Sequence, residues 1–88
     1  MEYIRDMTRI LIGELDLAEE MVKHSADIAY GYWFAGRARS MVTQIEDDFK
    51  YFCEVTDIRK KAIDDKIAET VYNTMTERIA NIRKSVLP

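Results

Sequence analysis

Apolar residues recur at helical spacing from Glu2 to about Tyr30, in two adjacent rows. Tyr3, Met7, Ile10, Leu17, Met21 and Ile28 form one, and Ile4, Leu11, Leu15, Ala18, Val22 and Ala29 the other. Side by side they predict one long amphipathic helix with a broad buried face. Arg5, Arg9, Asp16, Glu19, Glu20, Lys23 and Asp27 lie opposite, with Glu19 and Lys23 spaced for an i,i+4 ion pair. Gly13 costs such a helix only about 1 kcal/mol relative to Ala, too little to end it.

The periodicity breaks at Tyr30-Gly31-Tyr32-Trp33-Phe34-Ala35-Gly36, where the two glycines can supply a left-handed end, and the first turn is expected there. A second helix is predicted from about Ala38 to Glu54 on the stripe Ala38, Met41, Val42, Ile45, Phe49 and Phe52, with Glu46 placed to pair with Lys50. Val55-Thr56-Asp57 reads as a short break, or a kink, with two candidate N-caps. The third stripe is Ile58, Ala62, Ile63, Ile67, Val71, Met75, Ile79, Ile82 and Val86.

These elements predict an all-α fold, a single domain over residues 1–88, arranged as an up-down-up three-helix bundle with long first and third helices. Outer helices of nearly 30 residues would be about 45 Å long, and a middle helix near 18 residues about 27 Å. The mismatch leaves apolar overhangs at the start of the first helix and the end of the third. Ile4, Met7, Leu11, Ile79, Ile82 and Val86 are therefore the expected self-association surface, with a symmetric dimer as the simplest cover.

Composition narrows the class. Hydrophobic residues make up 48% of the 88 positions and charged residues 33%, the balance of a folded chain. Three Gly and one Pro are too few for a hairpin-rich β fold. The net charge of −3, with Lys and Arg scattered among Asp and Glu, makes nucleic acid an unexpected partner. Even the basic run Arg59-Lys60-Lys61 is offset by Asp64 and Asp65. The longest apolar stretch, Ile28 to Gly36, is about half of the ~20 residues of a membrane span. A lone Cys53 and no signal-like opening point to a reducing cytoplasm.

Candidate chemistry is sparse, and no metal or cofactor is expected. His24 shares a row with Met21 and follows Glu20 by one turn, but a single His does not build a zinc or di-iron site. Glu14 and Asp48 fall among apolar positions, and each is expected to reach a Lys, Arg or Tyr of a neighbouring helix. Asp16 with Glu19 and Glu54 with Asp57 are the nearest approach to magnesium-binding carboxylate pairs. An enzyme reading would be a small metal-dependent hydrolase with carboxylates shared across an oligomer, its cluster being Glu14, Asp16, Glu20 and His24.

The most unusual local feature is aromatic. Tyr30, Tyr32, Trp33 and Phe34, followed by Arg37 and Arg39, are residue types that dominate protein interfaces. They would cap the end of the bundle, contact a protein partner or insert into a membrane surface. The reading favoured by the sequence is a non-enzymatic helical interaction module, an adaptor, assembly factor or stoichiometric inhibitor that also forms a homodimer.

Overall fold

The computed structural model describes residues 2–57 and 66–86, with side chains for all of these except 2–5, 56, 67 and 68. Among the described residues there are three helices and no strand: α1 (Glu2–His24), α2 (Gly31–Thr56) and α3 (Lys66–Ser85). Each helix packs against the other two.

The core follows the stripes expected from the helical period. Leu11, Leu15 and Ala18 of α1 meet Ala38, Val42, Ile45 and Phe52 of α2 and Met75, Ile79 and Ile82 of α3, with Val86 just beyond α3. Met7, Met21, Val22, Met41, Phe49, Cys53, Val71 and Tyr72 pack around this centre. Phe52, Leu15, Ile45 and Val42 are the largest fully buried side chains, each contributing about 1.5–3 kcal/mol of transfer free energy. Phe49 carries the packing across to α3, its ring 6.4 Å from that of Phe52 and 5.7 Å from that of Tyr72.

The first helix ends six residues before the sequence pattern suggests. The Ser25 hydroxyl donates to the carbonyl of Val22, and the Asp27 carboxylate accepts from the backbone N–H groups of Ala29 and Tyr30, both at 2.8 Å. Short polar side chains that bond to nearby backbone compete with helix continuation, and here they win. Ile28 leaves the buried row and stands fully exposed.

The aromatic segment is accordingly not a turn but the opening of α2. The chain re-enters helix at Gly31, whose N–H donates to the Asp27 carbonyl at 2.9 Å. A Cβ at Gly31 would stand 2.5 Å from the Ser25 carbonyl oxygen, so absence of a side chain, not backbone handedness, is what this position requires. Phe34, four residues before Ala38, extends the buried stripe of α2 backwards by one turn.

At its other end α2 runs through Val55 and Thr56 and stops at Asp57, whose φ of 56° is the left-handed conformation that terminates helices. Asp57 is thus the C-cap of α2. The expected start of the third helix at Ile58, with Ala62 and Ile63 and the basic run Arg59-Lys60-Lys61, lies outside the described residues.

The lengths differ from expectation in a way that matters for assembly. At 23, 26 and 20 residues, the described helices are about 34, 39 and 30 Å long, and the middle one is the longest. Of the expected overhang residues, Leu11, Ile79, Ile82 and Val86 are buried in the core of one chain, and Met7 packs against it. The side chain of Ile4 lies outside the described set. These positions are thus not exposed overhangs within one chain, the described helices being closer in length than the sequence pattern suggests.

Two arginines fasten α3. Arg78 bonds Glu19 through Nε at 3.1 Å and through an Nη at 2.7 Å, and reaches Asp16 at 2.7 Å. Arg83 holds Glu46 through two hydrogen bonds and donates to the Thr43 hydroxyl at 3.0 Å. Both displace pairings expected within single helices: Lys23 pairs with Glu20 rather than Glu19, and Glu46 is taken by Arg83.

Candidate protein-interaction surface

The end of the molecule where α1 gives way to α2 carries the aromatic segment. Ser25 to Tyr30 form the connection, held by the Asp27 carboxylate, and Gly31 lets it lie close against the last turn of α1. This brings Phe34 under His24, with ring centroids 5.0 Å apart. Trp33 meets Phe34 edge-on at 5.1 Å, and the Arg37 guanidinium lies 5.7 Å from the Trp33 ring centroid. Stacking of this kind holds the indole in a defined orientation while leaving much of it in solvent.

The expected site residues separate into two groups. Tyr30, Tyr32, Trp33 and Arg37 are exposed, and Phe34 is half-buried beneath them. Arg39 belongs elsewhere: its Nε donates to the Val86 carbonyl at 3.2 Å, where it satisfies the C-terminal end of α3. Ile28, assigned from the sequence to the core, joins the exposed group. Its position was readable from the Ser25 and Asp27 side chains, whose turn chemistry precedes Gly31. A cap that closed the bundle would bury Tyr30, Tyr32 and Ile28, and they are not buried.

The residues weighed for catalysis or metal binding are dispersed. Arg78 occupies Asp16 and Glu19 together, and Glu20 lies between Lys23 at 3.3 Å and His24 at 3.8 Å. Glu14 faces α2, away from these three. His24 and Cys53 stand near opposite ends of α2, Cys53 being nineteen residues, about 28 Å, beyond Phe34. Glu54 and Asp57 border an open groove with Phe49 and Tyr72. Among the described residues no group of three or more His, Cys, Asp or Glu is placed to hold a metal ion.

Glu14 and Asp48, expected to find cations or tyrosines, instead share a hydrogen bond with each other. Burial first, then that bond and the charge of Asp48, push the Glu14 carboxyl up to about 7. Gln44 donates to the other side of the pair, its Nε2 2.9 Å from Asp48 Oδ1. The pair sits in a shallow cleft between α1 and α2, lined also by Met7, Ile10, Leu11 and Tyr51.

No helix among the described residues is long and apolar enough to cross a membrane. Comparison with family models, with curated proteins and with solved structures finds no match.

Proposed function

We propose that this chain is a helical protein-interaction module, a stoichiometric adaptor, assembly factor or inhibitor acting in the cytoplasm, that binds a protein partner through its aromatic end and self-associates. The observation that carries the reading is the contiguous exposure of Ile28, Tyr30, Tyr32 and Trp33 at one end of the bundle. Large apolar side chains placed in water without structural need raise the free energy of the isolated chain, and burial against a partner recovers it. Trp33 and Arg37, already stacked, lose little further side-chain entropy on contact.

An up-down-up course of the three helices supports this use of one end. That His24 lies on Phe34 while Met7 and Ile10 share a cleft with Tyr51 supports opposite directions for α1 and α2. Arg83 reaches Glu46 and Arg39 reaches Val86, the same relation between α2 and α3. The connection from α1 to α2 then forms one tip of the bundle, free to enter a groove.

The test compares capture of partners from cells that make the protein by wild type and by Tyr32→Ala and Trp33→Ala, read by mass spectrometry alongside melting temperature. A partner retained by wild type and lost by both variants, at unchanged stability, is expected. Equal capture by all three would overturn the reading. The metal-dependent hydrolase is tested by adding magnesium, manganese or zinc, which raises the melting temperature of a protein that binds the ion in its folded state.

A further inference from the structure

Among the described residues, nothing covers the face shared by α1 and α2 on the side away from α3. Ile10 and Leu17 are 60% and 50% exposed on one side of α1, Tyr51 lines a cleft with Ile10, and Tyr51 and Val55 are exposed on α2. The face is not where α3 docks: α3 meets α1 through Ile12, Asp16 and Glu19, which lie round the helix from Ile10 and Leu17.

We propose that a second copy of this chain covers the α1–α2 face, with Arg37 of each copy paired to Asp48 of the other. Charge complementarity within one surface supports this pairing. At one end of the face the Glu14–Asp48 pair holds carboxyl groups that no Lys or Arg among the described residues neutralises. At the other end stands the exposed guanidinium of Arg37. Eleven residues separate Arg37 from Asp48, three turns of helix, so both project from the same side of α2 about 16 Å apart. They are too far apart to meet within one chain.

A single two-fold axis resolves both the apolar and the charged features. Placed midway between Arg37 and Asp48, at the level of Met41 and Gln44 on α2, it brings each Arg37 over the other copy's Asp48. On α1 the same level falls between Leu17 and Met21, so Leu17 meets its own counterpart close to the axis. The product is a four-helix layer of two α1–α2 pairs, with both α3 helices outside. A small domain with a limited core has much to gain from such an association. This inference rests on the self-association proposed above and supplies its surface, which differs from the terminal overhangs expected from the sequence.

Sedimentation equilibrium of the full chain, from low to high micromolar concentration, provides the test. Wild type is expected to approach twice its 10.3 kDa mass. Arg37→Glu and Asp48→Arg should each weaken the dimer by about tenfold or more, and the double variant should recover most of that loss, since charges that meet between copies are restored by the swap. Leu17→Glu should abolish the dimer while the helical circular dichroism is retained. A monomer at every concentration would overturn the self-association itself. A dimer indifferent to Arg37→Glu and Leu17→Glu, or a double variant that fails to recover, would overturn this surface and leave self-association standing.

Discussion

Glu14 of α1 and Asp48 of α2 line one cleft, close enough that hydrogen bonding to Asp48 and its charge both push the Glu14 carboxyl up. Burial is the largest cause of the upward shift of Glu14, with the bond and charge of Asp48 following. The pair links stability to pH with a definite sign.

The carboxyl of Glu14 moves from an ordinary 4.5 to about 7 in the folded chain. The folded state therefore keeps a proton that the unfolded state releases between these values. Its contribution to stability is complete below about 4.5, declines as pH rises, and is lost above about 7. Urea midpoints measured at low protein concentration across this window should fall with rising pH. Glu14→Gln, which keeps the shape and removes the titration, should flatten that part of the curve.

Arg78 spans Glu19 and Asp16, and its removal takes away these bonds between α3 and α1 without touching the core. Arg78→Met should cost roughly 1 kcal/mol, the small value expected of ion pairs open to solvent. For a domain of this size that is a fall in Tm of about 4–8 °C. The difference from wild type should shrink in high salt, and Arg78→Lys should not restore it, since an ammonium lacks the fork that engages Glu19 twice.

Two glycines in α2 should respond in opposite directions. A Cβ at Gly31 meets the Ser25 carbonyl oxygen, so Gly31→Ala should destabilise by about 1–3 kcal/mol as the connection is forced away from α1. Gly36 has nothing within 4 Å of the same position, and Gly36→Ala should stabilise by about 0.5–1 kcal/mol through helix propensity alone. Thermal melts of the two variants beside wild type check both signs.

Phe52 is fully buried where α2 meets the rest of the core. Phe52→Ala should cost about 3–5 kcal/mol, a large share of the 5–15 kcal/mol typical of whole domains. Loss of a cooperative thermal transition by circular dichroism is the expected outcome.

The core was largely legible in the sequence. Leu11, Leu15 and Ala18, then Ala38, Val42, Ile45 and Phe52, then Met75, Ile79, Ile82 and Val86 fall on stripes set by the helical period, a property of neighbours along the chain. The end of α1 was legible too, in Ser25 and Asp27, but apolar residues at Ile28 and Ala29 continued the rows and concealed it. For the same reason Ile28 was placed in the core and the aromatic segment in a turn.

Which side chains meet between helices was decided only by the tertiary structure. The sequence marks Glu14 and Asp48 as carboxylates among apolar positions, yet their encounter depends on the relative height and rotation of α1 and α2. Arg78 on Glu19, Arg83 on Glu46 and Arg39 on the Val86 carbonyl depend on register in the same way. Periodicity fixes which face of a helix is buried, because that face repeats with the backbone. It carries no information on how far one helix slides along another, and that offset, set by side-chain interlocking in the core, decides which polar groups on the rims of the buried faces come within reach of each other.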